Sequence, residues 1–129
     1  MADIDQYFQV LGEAKLRDMV GAFYKRAKTD DILSPMYPKD DWKGAEDRLY
    51  HFLAMRLGGP RTYLEMRGHP RLRMRHFPYK IGIAERDRWV ELMDSAMTEV
   101  QLEPDQQQAL HDFFFQVADF LRNQTEKQL

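Results

Sequence analysis

His76 is the residue of this sequence best suited to chemistry, and it ends an arginine-rich run within the stretch Gly58–Pro78. A neutral imidazole can ligate a metal or carry a proton near neutral pH. A lone histidine is nevertheless more often a core residue whose ring nitrogens bond to nearby groups. Tyr24, Tyr37 and Trp89 could supply O–H and N–H donors to the same site, although each is also a typical core residue. Both interpretations therefore stay open for these four side chains.

The composition excludes several other kinds of site. The 129 residues include no cysteine, which removes disulfides, thiolate metal sites and cysteine nucleophiles. The glycine-rich dinucleotide and P-loop signatures are absent, and so are the HExxH and GxSxG patterns of two hydrolase classes. An enzyme built on one of these templates is therefore not expected.

The overall charge and the N-terminal sequence limit the classes of partner. A formal net charge of −2, from 19 basic and 21 acidic residues, gives no general attraction for nucleic acid. The N-terminus has neither the basic start nor the apolar block of a signal peptide, and no apolar run approaches the roughly 20 residues of a membrane span. We expect a soluble, cytoplasmic protein with no nucleic-acid or membrane partner.

The basic residues are concentrated in one segment, residues 61–80. A solvated basic face is the simpler interpretation of such a segment, and a rim that binds a small anion is the functional one. The segment contains Arg61, Arg67, Arg71, Arg73, Arg75 and Lys80.

Hydrophobic spacing predicts the helices that must position these side chains. Apolar residues recur at the helical period of three and four over Glu13–Lys28, Trp42–Leu57 and Ala84–Gln101, and over a last helix from Pro104 to Leu121. A short first helix is expected from Ile4 to Gly12. The pattern predicts an all-α chain with four long helices.

The stretch before His76 is expected to be irregular until a short helix over Pro70–Phe77, with His69 as its cap. Leu72 and His76 are four residues apart and would share one face of that helix. The alternative is a strand with Leu72, Met74 and His76 on one face, but the sequence offers no partner strand. We expect one domain over residues 1–129, frayed at residues 1–3 and 124–129.

An imidazole on one side and several donors on the other would suit an iron-bound diatomic ligand. The chain resembles the group II truncated haemoglobins at residues that fit this idea, and the resemblance extends from Tyr7 to about Leu121. It is carried by GGPRTY at 58–63, GHPRLRMRH at 68–76 and ERDRW at 85–89.

This resemblance implies a truncated globin fold, a two-over-two helical sandwich around haem b. It implies that His76 is the proximal iron ligand, and that Tyr24, Tyr37 and Trp89 face the bound ligand from the distal side. Arg75 and Lys80 are expected to contact the haem propionates. The remaining expected pocket residues are apolar: Ala45, Leu49, Phe52, Leu53, Leu72, Phe77 and Met93.

The resemblance also implies a range of functions. The ligands would be O2, NO and CO, with peroxide or sulfide as further candidates, and the roles would be O2 binding or storage, NO or peroxide detoxification, or redox sensing. NO dioxygenase or peroxidase-like turnover would need an external reductase, because the chain has no flavin or nicotinamide motif. The protein would be a monomer or a homodimer. The alternative is a cofactor-free helical module that binds a partner through the basic segment.

Overall fold

A computed structural model describes residues 3–124, which are helical with no strand. The predicted fraying of residues 1, 2 and 125–129 lies outside the described residues. Within the described range, no helix has the length and apolar character needed to cross a bilayer. The helices are α1 Tyr7–Leu11, α2 Glu13–Ala27, α3 Trp42–Arg56, α4 Thr62–Arg67, α5 Leu72–His76, α6 Ile83–Glu99 and α7 Pro104–Phe120, with short 3₁₀ turns at Ile4–Gln6 and Ser34–Met36.

The four long helices form the predicted two-over-two sandwich. One layer is the pair α2 and α3, the other is the pair α6 and α7, and α2 also packs on α6. In α2 the apolar stripe predicted from the sequence is buried throughout, from Leu16 to Ala27. Burial of such stripes provides most of the stability of helices in a protein of this kind. The predicted all-α fold and its four long helices are confirmed.

The end of α3 is held against the N-terminus of the chain. Gly58 has a φ of 90°, and a Cβ atom at this position would overlap the backbone carbonyl oxygen of Asp5. Next to it, the Phe8 N–H donates to the Leu57 carbonyl oxygen at 2.9 Å. Only glycine satisfies both the left-handed conformation and the close approach.

The connection between α3 and α6 contains a helix that the sequence did not predict. α4 begins at Thr62, and its buried residue Tyr63 packs edge-on against Phe52 of α3, with ring centroids 5.6 Å apart. Six residues with one buried side chain give no helical period that a sequence pattern could detect.

The short helix that carries His76 begins later than predicted. Arg71 has a φ of 46°, so the chain becomes helical only at Leu72 rather than at Pro70. The Arg71 N–H donates to Nδ1 of His69 at 3.2 Å, which stabilises the turn before the helix. The expectation that His69 caps a helix starting at Pro70 is therefore wrong.

Candidate functional site

A cavity of about 440 Å³ lies between the two helical layers and the α4–α5 connection. Its volume is within the usual range of about 300–1,000 Å³ for small-molecule and cofactor pockets. Most of its walls are apolar, and a few polar side chains converge on it. The four residues with chemical potential all line it: Tyr24, Tyr37, His76 and Trp89.

His76 reaches the cavity from the inner face of α5. Its Nδ1 lies 2.7 Å from the Leu72 carbonyl oxygen. Since a carbonyl can only accept, Nδ1 must carry the proton of the neutral ring and donate it to Leu72. The lone pair is then on Nε2, the other nitrogen of the ring. A backbone acceptor of this kind is the usual partner that orients a metal-binding histidine.

Tyr37 lines the cavity and has two polar neighbours, Trp89 and Tyr24. Burial raises the pKa of its hydroxyl to about 12, while hydrogen bonds with Trp89 and Tyr24 act to lower it. The indole N–H can only donate, so Tyr37 is the acceptor in its contact with Trp89. Within residues 3–124 the Tyr37 hydroxyl donates to no backbone carbonyl.

The Tyr24 side chain is buried, and its hydroxyl is hydrogen-bonded to the protein backbone. Only 3% of it is exposed, and its hydroxyl donates to the Ala45 carbonyl oxygen at 3.2 Å. Burial raises the pKa of Tyr24 far above its usual range, and its hydrogen bond to Tyr37 raises it further. The single Tyr24 proton is directed at the Ala45 carbonyl oxygen, so Tyr24 has no second proton for a ligand in the cavity.

Aromatic packing holds the donors in place. The Tyr37 ring lies edge-on to Tyr24 at 5.5 Å and beside Trp42 at 5.2 Å. Trp89 packs between Phe23 of α2 and Phe114 of α7, at 5.1 Å and 5.5 Å. These contacts fix the directions of the Tyr37 hydroxyl and the Trp89 indole relative to the cavity.

Most of the predicted apolar pocket residues line the cavity, namely Ala45, Leu49, Phe52, Leu53 and Leu72. The structure places Phe77 and Met93 elsewhere. Phe77 follows His76 directly, so the helical rotation of about 100° turns it outward, and 78% of it is exposed. Met93 is fully buried within the helical core and is not part of the cavity wall.

The cations at the cavity wall differ from those predicted. Arg75 does line the cavity, but its Nε and one Nη bond to the carbonyl oxygens of Pro70 and Arg67, at 2.6 Å and 3.1 Å. Lys80 is exposed and lies outside the wall. Arg48 and Arg67 line the cavity and were missed. The position of Arg48, three residues after Ala45 on α3, could have indicated that it shares the face of Ala45.

The sequence also gave no indication of an ion pair that joins the turn before Tyr37 to helix α6, which carries Trp89. Asp30 is the buried charged residue of the described chain, with 5% exposed. One of its carboxylate oxygens accepts the N–H groups of Ile32 and Leu33, at 3.1 Å and 3.0 Å. The other accepts from Arg88 Nε at 2.5 Å. Asp30 therefore anchors the turn that leads to Tyr37 onto α6, directly beside Trp89.

Burial by itself raises the pKa of Asp30. The hydrogen bonds from Leu33, Arg88 and Ile32 outweigh burial and hold that pKa below its usual value. The carboxylate is accordingly ionised at neutral pH, which is the state that the turn and the guanidinium require.

Comparison with known proteins places this geometry in a family. The family model of bacterial-like globins matches residues 6–123. The chain belongs to the bacterial-like globin family. It is 36% identical over 119 residues to a group 2 truncated haemoglobin of Bacillus subtilis, which covers 92% of this chain and 89% of that protein. It is also 29% identical to two-on-two hemoglobin-3 of Arabidopsis thaliana, over 97% of this chain and 77% of that protein.

Solved globin structures agree with the fold. A thermostable haemoglobin from Thermobifida fusca superposes with a TM-score of 0.88 and 43% identity, over 94% of this chain and 99% of that one. A haemoglobin from Chloroflexus aurantiacus gives a TM-score of 0.85 and 40% identity, over 92% and 97%. The group II truncated haemoglobin of Bacillus anthracis gives 0.89 and 27%, over 98% and 96%.

These findings confirm the resemblance to group II truncated haemoglobins and the truncated globin fold. Membership of a globin family makes the chain a haem protein that binds a diatomic gas such as O2. The cofactor-free alternative is not favoured.

Proposed function

We propose that His76 is the proximal ligand of a haem b iron in the cavity, and that Tyr37 is the principal donor to the bound diatomic ligand. The observation that carries this proposal is the hydrogen bond from His76 Nδ1 to the Leu72 carbonyl oxygen, which leaves Nε2 as the free ligating atom.

The side chains of the cavity suit haem b. Leu49, Phe52 and Leu53 of α3, together with Leu72, provide apolar walls for a flat macrocycle. Since the chain contains no cysteine, the thioether attachment of haem c has no anchor, and a non-covalently held haem fits the sequence. When bound, the haem would supply an iron that can bind a diatomic ligand.

Cations suitable for the two propionates are present at the cavity wall. Arg48 and Arg67 are the better candidates, because Arg75 already donates to two backbone carbonyls of the connection before α5. Arg48 also pairs with Asp41 at 3.2 Å, so a propionate there would compete with or join that contact. In this proposal Arg75 stabilises the segment before His76 and does not bind a propionate.

Tyr37 is proposed as the main distal donor because no backbone carbonyl takes its proton within residues 3–124, whereas the Tyr24 proton is given to the Ala45 carbonyl oxygen. The Trp89 indole N–H donates to the Tyr37 oxygen. Donation into Tyr37 polarises its own O–H bond and strengthens it as a donor. A hydrogen bond to a charged partner is worth about 1.5–3 kcal/mol, so a ligand with partial negative charge would be retained.

Retention of O2 suits reaction or sensing better than bulk delivery. NO and CO would enter the same cavity, and peroxide or sulfide are further candidates. Turnover such as NO dioxygenation or peroxide reduction would require an external reductase, in keeping with the absence of flavin and nicotinamide motifs from the sequence.

Titration of the haem-free protein with haem tests the proposal. We expect a strong Soret band that saturates at one haem per chain in the wild type, and a band greatly weakened or shifted in His76→Ala. His51→Ala is the matched control, because His51 lies on α3, packs against the Tyr50 ring and does not line the cavity. A saturating band that is identical in His76→Ala and the wild type would refute His76 as the ligand.

A further inference from the structure

The basic segment, residues 61–80, is unusual for its lack of counter-charges. It carries six arginines and lysines and a single acid, Glu65, in a chain of net charge −2. Within residues 3–124 none of these six cations takes part in an ion pair. By contrast, Arg17, Arg26, Arg86 and Arg88 on the long helices are all paired. Among the residues that the structure describes, no acidic side chain pairs with these cations, so the segment presents a local positive field.

Apolar side chains lie among these cations on the outer face of α5. Met74 and Phe77 are three residues apart, and 59% and 78% of them are exposed. Phe120 at the end of α7 is 57% exposed, and the Arg73 guanidinium carbon lies 5.3 Å from its ring centroid. We name Arg73, Met74, Phe77 and Phe120 the α5 outer patch. Aromatic residues, methionine and arginine are the types enriched in protein interfaces.

The α5 outer patch is a fixed surface rather than a loose loop. The Asn123 side-chain amide, just after α7, donates to the carbonyl oxygens of Tyr79 and His76, at 2.6 Å and 3.4 Å. The backbone N–H of Ile81 in turn donates to the Asn123 side-chain oxygen at 2.9 Å. These bonds tie the end of α5 to the end of α7, so the two helices that form the patch keep one geometry.

The chemistry of the patch points to a protein partner with acidic residues around an apolar centre. A symmetric dimer through this surface would bring the unpaired arginines of two copies together, which is unfavourable. A nucleic acid would satisfy the cations, but it would face an apolar centre on a chain whose overall charge is negative. Acidic groups of a protein partner would pair with Arg71, Arg73 and Lys80 while Phe77 is buried.

We propose that the α5 outer patch is the docking surface for an acidic one-electron carrier protein. This rests on the proposed function, because His76 is on the inner face of the same helix and is followed by Phe77. The patch therefore offers a short route to the proximal side of the haem. The carrier is oxidised by one electron, the haem iron is reduced from iron(III) to iron(II), and no bond forms or breaks. Small, charge-steered interfaces are typical of such complexes.

The test uses a negatively charged flavodoxin as the probe, with its flavin as the one-electron donor. The variant Arg73→Glu/Phe77→Ser changes exposed residues outside the cavity, and circular dichroism checks that it folds. Lys28→Glu is the matched charge reversal, since Lys28 is exposed, lies after α2 and forms no ion pair within residues 3–124.

Binding is measured by titration calorimetry on both haem-loaded and haem-free protein. We expect the double variant to weaken the Kd about tenfold or more, and Lys28→Glu to change it less than about twofold. Raising the salt concentration should weaken wild-type binding more steeply than binding of the double variant. No binding of flavodoxin to the wild type, or equal binding to the double variant, overturns the proposal.

Stopped-flow reduction of the haem-loaded protein supplies the second readout. Reduction by flavodoxin should slow in the double variant, while reduction by dithionite stays unchanged. An equal decrease in the rate of reduction by dithionite would overturn the docking role.

Two other outcomes would also overturn the proposal. A wild-type dimer in sedimentation that Phe77→Ser abolishes would favour self-association. Displacement of flavodoxin by single-stranded RNA would favour a nucleic acid partner. Failure of the haem proposal is separable, because it appears as a missing Soret band in the wild type.

Discussion

Replacing Tyr37 by phenylalanine should speed O2 dissociation far more than replacing Tyr24 in the same way. The two hydroxyls are neighbours, with ring centroids 5.5 Å apart, but their protons differ in direction. The Tyr24 proton is given to the Ala45 carbonyl oxygen at 3.2 Å. The Tyr37 proton has no backbone carbonyl acceptor within residues 3–124, so it is the tyrosine proton that a ligand in the cavity can take as a hydrogen bond.

The expected size follows from the strength of a charge-assisted hydrogen bond. Loss of about 1.5–3 kcal/mol from the bound state corresponds to an increase of about 10- to 150-fold in the dissociation rate, at about 1.4 kcal/mol for each factor of ten. Tyr24→Phe removes no direct donor to the ligand, and we expect a change of less than about threefold. Trp89→Phe weakens the polarisation of Tyr37, and we expect an intermediate increase of about two- to fivefold.

Stopped-flow displacement of O2 by CO measures these rates directly. Tyr50→Phe is the control, because Tyr50 is a buried tyrosine that packs under the Arg17 guanidinium, 3.6 Å from its carbon, and does not line the cavity. The assignment of Tyr37 is refuted when Tyr24→Phe raises the rate more than Tyr37→Phe does, or when Tyr37→Phe leaves it unchanged.

Three further predictions concern stability. Gly58→Ala should lower the free energy of unfolding by about 2–4 kcal/mol. The loss should exceed that of Gly68→Ala, whose Cβ would meet no neighbour and whose backbone conformation alone costs about 1–3 kcal/mol. Equal losses in urea unfolding would contradict the close approach to Asp5. Asp30→Ala should lower the free energy of unfolding by about 1–3 kcal/mol. As the pH falls below about 4, the wild type should lose more stability than this variant, because only the wild type has the Asp30 carboxylate to protonate. Parallel plots of melting temperature against pH for the two proteins would contradict this. The pKa of the Tyr37 hydroxyl is raised to about 12 in the folded protein, whereas a tyrosine in the unfolded chain ionises near pH 10. The free energy of unfolding should therefore fall between about pH 10 and 12, and it should fall less in Tyr37→Phe. Identical alkaline melting curves would exclude this contribution.

The long helices could be predicted because their apolar stripes are regular and buried. α2 and α6 end within two residues of the predicted ends, and Gly58 takes the left-handed conformation that a helix terminator requires. His76 was identified as a candidate from its residue type and its spacing from Leu72, and the structure shows these two joined by a hydrogen bond.

The features that were missed depend on tertiary packing. Tyr63 is buried only because Phe52 of another helix covers it, so α4 has no pattern of its own. Phe77 was among the expected pocket residues, but helical rotation directs it to the surface. The bond between Asp30 and Arg88 joins residues far apart in the chain, and no local pattern indicates it.

The ligation of the haem iron by His76 is tested most directly by resonance Raman spectroscopy of the ferrous, ligand-free protein reconstituted with haem. We expect an iron–imidazole stretching band in the wild type, its loss in His76→Gly, and its return when free imidazole is added to that variant. The Tyr37→Phe variant should keep the band, since the partner of the His76 ring is the Leu72 carbonyl oxygen and not Tyr37. A band that persists in His76→Gly without added imidazole would show that another residue ligates the iron.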